Sequence, residues 1–188
     1  MVQEAGLNGT GGGPNIQCGD GRIFFATPVT SSPYRYITDM NYWLLKSEPS
    51  AYGIDDLARD RTTAWTGVRN YQARNFMRDG MRLGDRAFFY HSSCEVPGIA
   101  GIVEVAKAAY PDEMQFDRKS VYYDAAATRS DPRWFNVDVK LVKKTRLVEL
   151  AELRSHRALA GMQLLRRGNR LSITPVTAAE WNTIMDLL

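Results

Sequence analysis

Two tryptophans, a tyrosine pair and several arginines carry the residue types that could hold a flat, charged ligand. Trp65 is followed by Thr66 and Gly67 and sits on no periodic apolar face. That predicts a loop, where an indole is a stacking surface, with Gly67 and Val68 leading on into Arg69. Trp134 stands just before the alternating segment Phe135–Val142. Tyr122 or Tyr123 offers a further wall, since only one of two adjacent side chains faces a given pocket. A flat ring with polar edges needs such walls and a few fixed hydrogen-bond partners. Stacking contributes about 1–3 kcal/mol per ring. The competing reading for each tryptophan is core or strand-edge packing.

Polar groups cluster at the predicted ends of strands. Lys46 and Ser47 end one strand; Tyr90, His91 and Ser92 end another. Their side chains are expected at one mouth of the fold. Ser47 can bond a ligand edge or, as a turn hydroxyl, the backbone before Pro49. His91 is one of two histidines and has no metal-ligand companions, so it is either a structural hydrogen-bonding group or a ligand contact. Arg69 and Asn70 open a helix, with Arg74 one turn on. A helix start favours anions, so the arginines could clamp phosphate; an ion pair with Asp85 or Glu48 is the alternative. Pro97-Gly98-Ile99 is either a close backbone approach to a ligand or a plain hairpin connection. Arg166-Arg167 with Arg170 forms a basic loop that either meets an anion or is merely solvated.

These groups require a framework, and the sequence predicts one. Tyr42–Lys46, Arg86–Ser92, Ile99–Val105, Phe135–Val142 and Leu171–Ile173 read as strands, the last ended by Pro175. Ile99–Val105 is nearly continuous in apolar character, as in strands buried on both faces. In Phe135–Val142, Phe135, Val137, Val139 and Leu141 face one way; Asn136, Asp138 and Lys140 face the other. Helices are predicted within Tyr52–Asp60, over Asn70–Arg78 with Asp79-Gly80 as the stop, and over Leu147–Leu153. A last helix is capped by Thr177 and runs to Leu188, burying Trp181, Ile184, Met185 and Leu188. The expected class is α+β, a small mixed β-barrel of five to six strands with short flanking helices.

The chain has 188 residues, 44% hydrophobic and 24% charged, enough for one domain with a sizeable core. Two cysteines, Cys18 and Cys94, suggest neither a disulfide framework nor a zinc site, and a reducing compartment fits. No apolar run approaches the roughly 18–20 residues of a membrane helix. The expected location is the cytoplasm, or the nucleus in a eukaryote. Of the net charge of +3, residues 1–39 contribute −1 (Arg22 and Arg35 against Glu4, Asp20 and Asp39), leaving +4 on the remainder. Arginines outnumber lysines 18 to 6, which suits phosphates and stacking, although a GC-rich genome has the same effect.

Residues 1–39, with Gly9-Thr10-Gly11-Gly12-Gly13-Pro14, read as a disordered extension. The abrupt change at Met40 points to a mis-assigned start; a real disordered arm is the alternative. Residues 40–188 read as one domain.

From Tyr42 the chain resembles EVE domains. Tyr42-Trp43-Leu44-Leu45-Lys46-Ser47-Glu48-Pro49 resembles their opening, and Trp65-Thr66-Gly67-Val68-Arg69-Asn70-Tyr71-Gln72-Ala73-Arg74-Asn75 is the most specific stretch. Gly84-Asp85, Phe89–Ser92, Pro97–Gly101, Tyr110–Asp112, Tyr122–Asp124, Pro132–Trp134 and Arg170-Leu171-Ser172 follow in order. The resemblance implies a PUA-like barrel similar to YTH domains, which hold a methylated adenine in an aromatic cage. It places Trp65 and Trp134 where cage tryptophans stand. It implies a nucleic-acid-binding module that reads a modified cytosine or adenine in DNA or RNA from a flipped base. Lys46, Ser47, Gly67, Val68, Arg69, Asn70, Arg74, Tyr90, His91, Ser92, Pro97, Gly98, Ile99, Tyr122, Arg170 and Ser172 then surround the tryptophans. No cofactor, metal or membrane partner is expected, and the chain is expected to be a monomer. No GxSxG elbow, P-loop or dinucleotide fingerprint is present. An enzyme acting on a nucleotide-like molecule in the same pocket remains the alternative, and a buried carboxylate pair such as Asp85 with Asp112 would favour it.

Overall fold

The computed structural model describes residues 40–188, so the expectation for residues 1–39 lies outside the described residues. Six strands form one mixed sheet in the order β2-β5-β4-β3-β1-β6. They are β1 (Tyr42–Ser47), β2 (Thr62–Trp65), β3 (Arg86–His91), β4 (Gly98–Pro111), β5 (Phe135–Glu149) and β6 (Ile173–Val176). Only β1 and β3 pair in parallel. The α+β class is as expected; the sheet is not closed, and β2 and β6 are its edges. Helices α1 (Ile54–Asp60), α2 (Tyr71–Asn75), α3 (Leu150–Ser155) and α4 (Ala178–Met185) flank it. None of the described helices is long and apolar enough to cross a membrane.

Side-chain alternation along the central strands divides the apolar residues between two cores. Trp43 and Leu45 of β1, with Ala87 and Phe89 of β3, point to an inner core that includes Ile54, Leu57, Ala73 and Met77. Leu44, Phe88 and Tyr90 point the other way, to an outer core with Leu153, Leu159, Met162, Trp181 and Ile184. Strand β4 serves both because it carries a bulge. Phe89 faces Gly101 while Tyr90 faces Ile99, so Ala100 has no partner in the ladder. Ile99 and Ile102 thereby face the outer core and Ala100 and Val103 the inner one.

Helix α4 docks through an aromatic stack: the Trp181 ring lies 4.4 Å from Tyr42 and 4.1 Å from Phe88. Its start is the expected cap. Thr177 Oγ1 accepts from Glu180 N, and Glu180 accepts from Thr177 N. Met185, expected on the buried stripe, is instead exposed.

Four further expectations change. Thr62–Trp65 is a strand, not a loop, and Trp65 ends it. Leu147–Glu149 completes β5, and the helix begins only at Leu150. Asn136, expected on the polar face, is buried. Pro175 does not end β6 but lies within it, while Leu171 and Ser172 precede the strand. Lys46 N donates to Ser172 O at 2.8 Å, so the pair Trp43–Pro175, three positions away along the ladder, is non-hydrogen-bonded. The proline nitrogen therefore points off the sheet edge, where no ladder bond is lost. Helix α2 runs on into a π-helical turn, Phe76–Gly80, and the helical segment ends at Gly80 as expected.

Candidate functional site

The parallel pairing of β1 with β3 sets Lys46 beside Tyr90 and Ser47 beside His91 at the ends of the two strands. Lys46 and Tyr90 turn outward, into a cleft of about 360 Å³. Ser92, Ser93 and Pro97 of the β3–β4 connection form one wall. Leu150 and Arg154, one turn apart on α3, form another. Leu164 and the segment Arg166–Asn169 close the third side. The volume is in the range of about 300–1,000 Å³ common to small-ligand clefts.

Charge is the cleft's distinguishing feature. Lys46, Arg154, Arg166 and Arg167 form no ion pair among the described residues. Burial holds the Lys46 ammonium below the usual lysine range. Burial also pushes the Tyr90 phenol up to about 12. Its hydroxyl stays protonated at neutral pH and can donate or accept. The cleft thus joins apolar walls, one aromatic ring and four cations, a combination suited to a planar ligand carrying phosphate.

The two tryptophans of the predicted cage are both packed. Trp65 is 8% exposed, with its ring edge-on to Phe89 at 5.6 Å in the inner core. Trp134 is 5% exposed and its indole donates to Asp124 at 2.7 Å. Tyr71 stacks on it at 4.9 Å, and the Arg69 guanidinium lies 5.4 Å from its centroid. Neither tryptophan presents an open face. Val68 is buried beside them.

Nor are Arg69 and Arg74 free to clamp phosphate. Arg69 pairs with the buried Asp112 at 2.8 Å, instead of Asp85 or Glu48, and its fork donates to Tyr122 O at 3.0 and 2.7 Å. Its guanidinium also lies 5.1 Å from the Tyr122 centroid. Arg74 donates to Arg133 O at 2.8 Å and lies over Tyr71. Asn70 caps α2, accepting from Gln72 N and Ala73 N. Gly67 has φ +74°, and a Cβ there would come within 2.8 Å of Tyr122 Cζ.

The remaining candidates divide. Ser47 Oγ donates to Tyr52 O at 2.6 Å, so its hydroxyl belongs to the turn. His91 Nε2 accepts from Ile54 N at 3.1 Å, and burial lowers its pKa. A Cβ on Gly98 would lie 2.5 Å from Val148 O; this glycine admits strand β5, not a ligand. Ile99 packs in the outer core. Arg170 and Ser172 do not line the cleft, although Ser172 O accepts from Lys46 N. Asp85 and Asp112 are both buried, but each is consumed by its own donors: Trp43 Nε1, Asn41 N and Arg82 N for Asp85, Arg69 and Met114 N for Asp112. The lining residues not singled out from sequence are Ser93, Leu150, Arg154, Leu164, Gly168 and Asn169. The spacing of Leu150 and Arg154 is a usable signal, obscured because the predicted helix begins three residues earlier, at Leu147.

Comparison with known proteins adds to this geometry. The family model described as EVE domain matches residues 41–187. Thymocyte nuclear protein 1 of Gallus gallus is 45% identical over 166 residues, 78% of this chain and 68% of that protein. The human protein of that name is 44% identical, over 78% of this chain and 73% of its own. A crystal structure from Pseudomonas putida is 49% identical with a TM-score of 0.75, covering 78% of this chain and 98% of that one. The human THYN1 protein, solved in complex with DNA containing 5-methylcytosine, is 42% identical with a TM-score of 0.72, covering 78% of this chain and 96% of that one.

Proposed function

The chain belongs to the EVE domain family, and from that premise we propose that it is a binding module for nucleic acid that reads a modified base, modified cytosine in DNA first, rather than a catalyst. The observation that carries this reading is the convergence on one cleft, with Tyr90, of four cations that form no ion pair among the described residues. The 5-methylcytosine DNA held by the human relative supports the choice of ligand. A base drawn out of its stack is flat and apolar on its faces, and Tyr90, Leu150, Leu164 and Pro97 supply matching walls. The Tyr90 and Ser92 hydroxyls can bond its edge. Arg154, Arg166 and Arg167 meet the flanking phosphates.

The test is binding to short DNA and RNA oligomers that differ by one modified base, measured at several salt concentrations. Wild type should prefer one modified base. Arg166→Ala and Arg167→Ala should weaken all oligomers alike and each reduce the slope of log K against log salt by about 1. Tyr90→Phe should reduce the preference more than the affinity. Equal binding to every oligomer, with a slope indifferent to both arginines, would refute the assignment of the cleft.

A further inference from the structure

The segment between β4 and β5 is built unusually firmly for a connection that shows apolar side chains to water. Gln115, fully buried, donates to Asp112 O and Trp134 O and accepts from Arg133 N and Trp134 N. Asp124 N donates to Gln115 O at 3.0 Å, and Asp124 holds the Trp134 indole. Ser120 N donates to Asp117 O, Tyr123 N to Ser120 O, and Tyr122 N to Ser120 Oγ. The Arg69 fork closes on Tyr122 O. At the tip of this frame Val121 is 91% exposed, Tyr122 37% and Tyr123 38%. The Tyr122 ring lies against Gly67, and the Arg69 guanidinium is 5.1 Å from its centroid.

Immediately before the tip stand Arg118 and Lys119, exposed and without an ion pair among the described residues. The order is basic, basic, polar, then three apolar side chains, two of them aromatic. Two free cations beside exposed aromatic rings match an occupant that carries negative charge and flat apolar faces together. Nucleic acid has both: phosphates for the cations and unstacked bases for the rings. Pre-ordering the tip removes the entropy cost of fixing it on binding.

We infer that residues 118–123 are a second nucleic-acid contact, on which Tyr122 and Tyr123 stack against unpaired or displaced bases while Arg118 and Lys119 meet the adjoining phosphates. This contact is separate from the cleft around Tyr90 and rests on the reading that the chain binds nucleic acid. Its role is to hold strand whose bases have left the duplex, whatever their modification.

The test uses the full chain and single-stranded oligomers carrying 2-aminopurine, whose fluorescence is quenched when an aromatic ring stacks on it. Wild type should quench the probe on binding. Tyr122→Ala with Tyr123→Ala should abolish the quench and weaken single-strand binding at least about 5-fold, the lower bound for one lost stack. Tyr122 also packs against Gly67 and Arg69, so Tyr123→Ala alone is the folding control: it should keep the thermal midpoint and still weaken the quench. Wild-type quenching and affinity in the double variant would overturn the inference and leave the cleft reading standing. A change confined to self-association would mark the tip as a protein interface and equally overturn it. A wild-type chain that bound no oligomer would refute both readings.

Discussion

Asp85 offers a quantitative test of how the fold is held. Its carboxylate is buried, pairs with no cation among the described residues, and meets three close N–H donors, Asn41 N at 3.1 Å, Trp43 Nε1 at 3.0 Å and Arg82 N at 2.9 Å, with Asn41 Nδ2 more distant at 3.4 Å. It thereby ties the start of β1 and the turn before β3 to the inner-core indole. Hydrogen bonds to a charged acceptor contribute about 1.5–3 kcal/mol each. Removing the acceptor recovers the carboxylate's own desolvation, so the low end applies, and Asp85→Ala should cost about 4–5 kcal/mol for three donors. With a urea slope of about 2 kcal/mol/M, the unfolding midpoint should fall by about 2 M with the slope unchanged. Asp85→Asn keeps one carbonyl oxygen in place and should lose about half as much. Urea titration followed by tryptophan fluorescence measures both. A fall of less than about 0.5 M for Asp85→Ala, or an asparagine variant as weak as the alanine one, would refute the reasoning.

Three more expectations follow from other parts of the structure. Gly67→Ala places a side chain at φ +74° against the Tyr122 ring; the backbone alone should cost about 1–2 kcal/mol, lower the melting temperature by about 2–8 °C and disturb the 2-aminopurine quench. His91 accepts the Ile54 amide through an unprotonated nitrogen, and burial lowers its pKa. The unfolded chain therefore takes up the proton first, so the His91 contribution is whole above about pH 6.5, the ordinary imidazole value, and is lost as pH falls through the lowered folded value. His91→Gln should show a smaller drop in melting temperature between pH 7.5 and 5 than wild type does; an unchanged drop would exclude His91 as its source. Thr177→Ala removes the capping box of α4 and should cost about 1 kcal/mol, or about 2–4 °C of melting temperature by calorimetry.

Local pattern revealed the central strands because their apolar runs are uninterrupted. Tyr42–Ser47 buries half of its side chains, and Arg86–His91 and the first half of β4 bury most of theirs, so pattern and structure coincide. Strand β2 was hidden. Thr62–Trp65 has four residues, three of them at least partly exposed, and it takes its conformation from pairing with β5. The end of β5 was misread for the same reason. Lys143, Lys144 and Arg146 are exposed, and the sheet continues through them only because β4 lies alongside. The site divides similarly. Lys46, Tyr90, Ser92 and Pro97 share one cleft because strand ends collect at one mouth, which is legible in sequence. That Trp65 and Trp134 are packed is not legible in sequence, because a packed indole and an open one are the same residue type. Arg69 could not be distinguished from a phosphate clamp because its partner, Asp112, is 43 residues away in sequence.

Pro175 has a consequence for the chain before it is fully folded. Strand β6 is an outer strand, and the position facing away from β1 carries a nitrogen without hydrogen. A neighbouring chain laid along that margin would find a donor missing from a four-residue segment, and the pyrrolidine ring would stand in its way. The margin is thereby a poor template for fibrils during synthesis at high concentration. Pro175→Thr, with a β-branched residue in its place, would restore the donor, so the cost of losing this proline is expected in the yield of unaggregated protein more than in the stability of the native state.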